Sequence, residues 1–387
     1  MTATTWVAGF RSAVLSPHET VRINTSRGFR DQTLRQLLHL DGGGAAVRVL
    51  LSNEYGKEPL VIGAARVAVG AGSGSPAEGA AGTAVLPATD HVLRFDGATE
   101  VTVPVGAVVR SDPVDLAVLA GTDLVVSLYL PEDTGLATFS QTASQYAYVV
   151  SGDHVAATAL DGAEAVDARF YVTGVDVLAP EGTAIAVAFG DSWIEGTGTT
   201  TGANQRFPNQ LNRRLDRGWV VNQGIGGNRL LTDEVGPHGL ARLHRDVLSV
   251  PGVTHVLLHF GLNDLGLPGT YGEPPATADD LIAGLIALAG RTRAAGLTSI
   301  GMTMGPYAGT IYPGVDTPEG RSVRREVNDW IRTAAAFDAV VDVAAAVRDP
   351  DAPDSIRADL DSGDHLHLND AGVRAMADAV DLSHLRL

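Results

Sequence analysis

The pattern of apolar and polar positions changes character near residue 180. Before it, short runs rich in Val, Leu and Thr recur between clusters of Gly, Asp and Pro: AVRVLLSNEYG, PLVIGAARVAVG, EVTVPVGAVV, TDLVVSLYLP, QYAYVVSG and RFYVTGVDVL. Such runs, each long enough for one strand and bounded by turn residues, predict an antiparallel β-sandwich. No helix beyond a turn or two is predicted here, because the three- and four-residue apolar step is missing. Segment 70–90, GAGSGSPAEGAAGTAVLPATD, consists of small and turn-forming residues and predicts a long surface loop.

After the sequence APEG at 179–182, apolar strands alternate with helical patterns. The strands are expected at AIAVAFG (184–190), WVVNQG (219–224), VTHVLLHFG (253–261), TSIGMTM (298–304) and AVVDVA (339–344). Between and after them FPNQLNRRL, LARLHRDVL, ADDLIAGLIALAGRTRAAG, GRSVRREVNDWIRTAAA and GVRAMADAV return apolar residues at helical spacing. Strand and helix in alternation imply an α/β fold with a doubly wound parallel five-stranded sheet, whose ligands bind at the carboxyl ends of the strands. Two domains are therefore expected, 1–180 and 181–387, in keeping with a chain of 387 residues at roughly 150 residues per domain.

Charge and cysteine content narrow the chemistry. A formal net charge of -17 with no run of Lys or Arg argues against a nucleic-acid or anionic-membrane partner. With no cysteine, thiolate catalysis, disulfides and Cys-ligated zinc are excluded. No apolar stretch approaches the roughly 18 residues that span a bilayer; the longest, LIAGLIALAG at 281–290, is flanked by Asp280 and Arg291. The N-terminal MTATTWVAGFRSAV lacks a basic segment followed by an apolar run, so the expectation is a cytoplasmic protein or a secreted one whose leader has been removed.

Four motifs follow predicted strands. Phe189-Gly190-Asp191-Ser192-Trp193-Ile194-Glu195-Gly196 places a serine on a glycine-containing turn, its hydroxyl exposed near free N–H groups at a helix start; a plain capped turn would look the same. Asn222-Gln223-Gly224-Ile225-Gly226-Gly227-Asn228-Arg229 lets backbone approach a substrate, and matches neither the dinucleotide nor the Walker spacing. Phe260-Gly261-Leu262-Asn263-Asp264 offers a neutral amide as donor to an oxyanion. In Asp364-His365-Leu366-His367 the Asp stands three residues ahead of a His whose tautomer it can fix, leaving the other ring nitrogen to accept a serine proton. A metal at Asp364, His365 and His367 is the alternative, but no third dependable ligand accompanies it and no metal or other cofactor is expected.

In this order, the motifs resemble the SGNH (GDSL-like) hydrolase family, whose namesake residues are a Ser in Gly-Asp-Ser, a Gly, an Asn in Gly-x-Asn-Asp and a His in Asp-x-x-His. The resemblance spans about residue 184 to the C-terminus and implies a flavodoxin-like sheet. It also implies a triad of Ser192, His367 and Asp364, with an oxyanion hole from the N–H groups of Ser192 and Gly227 and the Asn263 amide. Gly226 is the adjacent alternative to Gly227, which is preferred because it immediately precedes Asn228. Asp191, Trp193, Asn228, Arg229, Asp264 and His365 are further candidates for contact with substrate, whereas His255 and His259 read as core histidines and Glu195 as a turn residue. Two positions depart from the family: Trp193 where Leu or Ile is usual, and Leu368 in place of a frequent Pro.

The runs AFGDSWIEGTGTTTGANQRFPNQLNRRL and VVNQGIGGNRLL are similar to the acetylxylan-esterase-like branch. This implies a serine esterase that removes short acyl groups from a carbohydrate or glycosylated small molecule. An acyltransferase, lipase or thioesterase using the same triad, and a carbohydrate-binding protein with an inactive hydrolase domain, are the alternatives. Trp6, Tyr55, Tyr146 and Tyr148 are available either to stack on sugars or to fill the first domain's core.

Overall fold

The computed structural model describes residues 3–387 except Thr20, Arg22 and Ser73. The chain forms two compact units: one runs to Gly182 and includes Thr201–Asn204, and the other comprises Thr183–Thr200 and Gln205–Leu387.

In the first unit, Thr4–Arg11, Val172–Pro180, Val47–Ser52 and Val108–Arg110 make one sheet in that order. Glu164–Val166, Ala147–Ser151, Gln32–His39, Asp123–Leu130, Ala64–Val69 and His91–Val92 make a second, and the pairings are antiparallel. Two strands, Thr4–Arg11 and Gln32–His39, are not evident from alternation. In Gln32–His39 the six central residues are all buried, polar Thr33, Arg35 and Gln36 among them. The Arg35 guanidinium is satisfied by Ser127 Oγ (2.9 Å) and by the carbonyls of Thr83 (3.0 Å) and Ala157 (2.6 Å).

Segment 70–90 is therefore more than a surface loop. It holds two short 3₁₀ stretches, Pro76–Thr83 and Pro87–Thr89, and buries Thr83 and Val85 against the sheet. Val85 packs in a cluster with Leu37, Ala68, Val125, Tyr148 and Leu160. Tyr148 thus belongs to the core, its hydroxyl donating to the Gly74 carbonyl (2.7 Å), and Tyr146 packs against the same cluster.

The second unit is a five-stranded parallel sheet of β1 (Ile185–Gly190), β2 (Trp219–Gly224), β3 (Val253–His259), β4 (Thr298–Met302) and β5 (Ala339–Val341), in the order β2-β1-β3-β4-β5. All six residues of β1 are buried, as a central parallel strand covered on both faces requires. The order reverses direction at β1, the point where open α/β sheets bind their ligands. Register sharpens the location: Gly190 at the end of β1 pairs with Gly224 of β2 on one side and His259 of β3 on the other. The turns that follow these three strands leave the sheet at one level.

Three expected strands end early, β4 at Met302 rather than 304 and the other two for local reasons. β5 stops at Val341 rather than 344 because Asp342 caps a short helix, Val343–Val347, by accepting the Ala345 N–H. β3 stops at His259 because Gly261, at φ 113, opens the helix Leu262–Thr270. Among the described residues no helix is long and apolar enough to cross a membrane.

Candidate active site

Only glycine fits at the end of β1: a Cβ on Gly190 would lie 2.5 Å from the His259 carbonyl oxygen and 2.6 Å from Ile194. The chain turns there, and Asp191 caps the short helix Ser192–Glu195 by accepting the Trp193 N–H at 3.1 Å. Ser192 is the first residue of that helix, where N–H groups have no partner within the helix. Gly224 is equally constrained, since a Cβ there would meet the Glu195 backbone nitrogen at 2.1 Å. The serine turn and the glycine loop are packed backbone against backbone.

Asp364 and His367 arrive on the turn before the last helix, Asp370–Asp378. Asp361 holds this turn by accepting the N–H groups of Gly363 (2.8 Å) and His365 (3.1 Å), and it also bonds the His365 ring. His367 Nε2 lies 2.9 Å from Ser192 Oγ, and His367 Nδ1 lies 2.6 Å from Asp364 Oδ2. The other carboxylate oxygen accepts from the N–H groups of Leu366 (2.9 Å) and His367 (2.7 Å) and from Ser362 Oγ (3.0 Å). Burial opposes ionisation of Asp364, but the hydrogen bond and charge of His367 with these backbone donors hold its carboxyl well below the usual range. The carboxylate therefore stays charged, as an acceptor for the imidazole N–H.

Across the turn from Ser192, Gly227 adopts a left-handed conformation (φ 77) that favours glycine. The neighbouring Gly226 N–H is spent on Glu195 Oε2 at 2.7 Å. Asn263 Nδ2 donates to the Asn228 carbonyl (3.0 Å), which fixes the plane of the amide and leaves its second N–H for a ligand. Ser192, Gly227 and Asn263 thus stand on the ends of β1, β2 and β3, the strands whose termini are level.

A family model described as "GDSL-like Lipase/Acylhydrolase family" matches residues 188–375. The C-terminal half of the chain is a GDSL-like lipase/acylhydrolase domain. The acylhydrolase domain makes the protein a carboxylic ester hydrolase. No curated protein matches the chain. Similar solved structures include the M. smegmatis aryl esterase, at 15% identity over 51% of this chain and 95% of that one with a TM-score of 0.41. A GDSL-like lipase from Bacteroides thetaiotaomicron matches at 15% identity over 53% and 89%, with a TM-score of 0.41. A carbohydrate acetylesterase from Sinorhizobium meliloti matches at 15% over 51% and 95%, with a TM-score of 0.40.

Several residues expected to contact substrate lie instead beneath the surface of the acylhydrolase domain. Asp191, Asn228 and Asp264 are fully buried. The Asn228 side chain donates to the carbonyls of Val235 and Pro237 (both 2.9 Å) and accepts from Arg242 Nε (2.9 Å). Asp264 accepts the N–H groups of Leu230 (2.7 Å) and Leu231 (3.1 Å), with Arg229 Nε at 3.8 Å. Burial nevertheless pushes its carboxyl up to about 6. Arg229 is tied to Glu234 at 3.1 Å. Trp193 is buried as well, its indole N–H donating to the Leu366 carbonyl (3.1 Å) and its ring stacked on His259 at 5.4 Å. His365 is exposed and bonded to Asp361. Among the described residues no three His, Cys, Asp or Glu side chains are grouped to hold a metal ion.

Other contributors carry no sequence signal of their own. Arg242 is buried over the Phe189 ring and donates to the carbonyls of Gly190 (2.6 Å) and Gln223 (2.8 Å) as well as to Asn228, so one guanidinium ties the serine turn, β2 and the glycine loop. His259 Nδ1 lies 3.1 Å from Asp191 Oδ1 beneath the serine turn. Glu195 and Tyr312, which donates to Asp364 Oδ2 at 3.2 Å, complete the set.

Proposed function

We propose that the protein hydrolyses acyl esters through a covalent intermediate on Ser192, and that its substrates carry short acyl groups, acetyl foremost, on a carbohydrate or glycosylated small molecule. The 2.9 Å contact between His367 Nε2 and Ser192 Oγ carries the chemical part of this reading, because it joins a nucleophile to a base already oriented by Asp364. Ser192 Oγ attacks the ester carbonyl carbon while its proton passes to His367 Nε2. The resulting oxyanion is held by the N–H groups of Ser192 and Gly227 and by the Asn263 amide. Collapse breaks the bond to the alkoxide, which leaves as the alcohol with the proton from His367. Water then attacks the acyl-enzyme, giving its proton to His367, and the acid departs as that proton returns to Ser192 Oγ.

The similarity of the runs at 188–215 and 220–231 to acetylxylan-esterase-like sequences supports the short-acyl carbohydrate part. A panel of p-nitrophenyl esters from acetate to long chains, together with an acetylated xylan, tests it. Highest kcat/KM on acetate and acetate release from the glycan are expected; preference for long chains would assign the domain to lipase or thioesterase chemistry instead. Faster turnover on adding an alcohol acceptor would point to acyl transfer.

A further inference from the structure

We propose that Tyr312 is a positioning residue for the base, acting through Asp364, so that the hydrolytic machinery comprises Ser192, His367, Asp364 and Tyr312. The proposal rests on the serine-hydrolase reading above and adds a residue that none of the four motifs contains.

Tyr312 lies in the long connection that follows β4, outside regular secondary structure. Three successive residues of that connection grip one residue of the triad turn. Thr310 Oγ1 and the Ile311 N–H donate to the Asp364 carbonyl oxygen at 3.0 and 3.1 Å, and the Tyr312 hydroxyl donates to Asp364 Oδ2 at 3.2 Å. The connection is pinned by Asp316, which accepts the Gly309 N–H at 2.9 Å and pairs with Arg321 at 3.2 Å. The phenol reaches the very oxygen that faces His367 Nδ1. Its ring also stands edge to face with the imidazole, centroids 6.2 Å apart at 78°. Tyr312 therefore touches both halves of the Asp–His pair, one by a polar contact and one by an aromatic contact.

The electrostatic consequence has a definite sign. A neutral donor on Asp364 Oδ2 draws off part of the carboxylate's charge and weakens its pull on an imidazolium at His367. Removing the hydroxyl leaves the carboxylate more basic toward the ring, so the acid limb of activity should move to higher pH. The phenol remains the donor because burial, together with the Asp364 charge and hydrogen bond, pushes it above its ordinary range. The other ionisable groups of the turn are spent elsewhere: Asp361 and His365 bond each other, and Asp370 accepts from Thr200. They are common to wild type and variant. Tyr312 is partly exposed and beside it Ile311 is 61% exposed, so changing the phenol disturbs no core.

Tyr312→Phe keeps the ring and deletes the hydroxyl. Its kcat on p-nitrophenyl acetate should fall about threefold to tenfold at little change in KM, the size expected for a partly exposed hydrogen bond to a charged group. The acid limb of its kcat/KM profile should move up by about half a pH unit. Tyr312→Ala, lacking the ring contact as well, should lose more in kcat. Wild-type kcat and an unmoved acid limb in Tyr312→Phe would overturn the proposal. So would a loss of activity matched by a loss of serine-titratable sites with no shift of the limb, since that pattern marks misfolding. Ser192→Ala assayed alongside separates the two levels: activity surviving there contradicts the serine-hydrolase reading itself, whereas an inactive Ser192→Ala with an unchanged Tyr312→Phe overturns only the role of Tyr312.

Discussion

The Glu195 carboxylate accepts the Gly226 N–H at 2.7 Å, and this bond commits one of the two adjacent glycines of the loop. Gly226 and Gly227 are adjacent, and sequence alone offers either as an oxyanion donor. With the first committed to a buried carboxylate, the N–H of left-handed Gly227 is the one we propose for the oxyanion.

Glu195→Ala should free the loop and lower kcat about tenfold or more on acetyl esters, the size of losing a charge-assisted hydrogen bond that orders an oxyanion donor. Glu195→Gln keeps an acceptor oxygen and should stay within about threefold of wild type. Steady-state kinetics of the pair separates the bond from the bulk of the side chain.

Trp193 fills space that Gly305 leaves open: a Cβ at residue 305 would fall 1.9 Å from the indole ring. Gly305→Ala should therefore destabilise the domain by roughly 1–3 kcal/mol, as overpacking does, and depress activity by shifting the residue next to the nucleophile. The smaller Leu at position 193 should relieve the clash. In a double-mutant cycle by urea denaturation, Trp193→Leu with Gly305→Ala is expected to be more stable than the sum of the single changes predicts.

Asp264 titrates near 6 in the folded chain because it is buried, against an ordinary carboxylate value of 3.8. An acid whose folded value is raised binds more protons folded than unfolded across that window, so its contribution to stability is full below pH 3.8 and lost as pH rises to about 6. The change amounts to roughly 2–3 kcal/mol. Asp264→Asn cannot ionise, so the stability difference between wild type and variant should shrink from pH 4 to pH 7. A pH-independent difference in urea midpoints would show that Asp264 ionises normally.

Much of the acylhydrolase domain was legible because its strands are short apolar runs and three of them, β1, β2 and β3, have a chemical motif at the carboxyl end. The parallel sheet therefore brings Ser192, Gly227 and Asn263 to one edge without further information. Asp364 and His367 are legible for a local reason: three residues suffice to close one turn and one hydrogen bond. What was not legible depends on distant partners. Arg242, 52 residues from the Gly190 carbonyl it binds, looks like any helical arginine. Tyr312 is separated from Asp364 by 52 positions and lies in a connection with no periodicity. Residues read as substrate contacts, Asp191, Asn228 and Asp264, stand beside Ser192, Gly227 and Asn263 in sequence but are buried in the fold. In the first unit, the strand Gln32–His39 is hidden because both of its faces are buried, and a buried, hydrogen-bonded Arg35 breaks the alternation that would reveal it.

A covalent acyl-enzyme on Ser192 would be seen by intact-protein mass spectrometry after brief mixing with a slowly hydrolysed p-nitrophenyl ester. One added acyl group per chain is expected in wild type, mapped to the peptide containing Ser192, with a burst of p-nitrophenol of equal stoichiometry. Ser192→Ala should show neither adduct nor burst. An adduct on another residue, or turnover that persists at wild-type rate in Ser192→Ala, would contradict it.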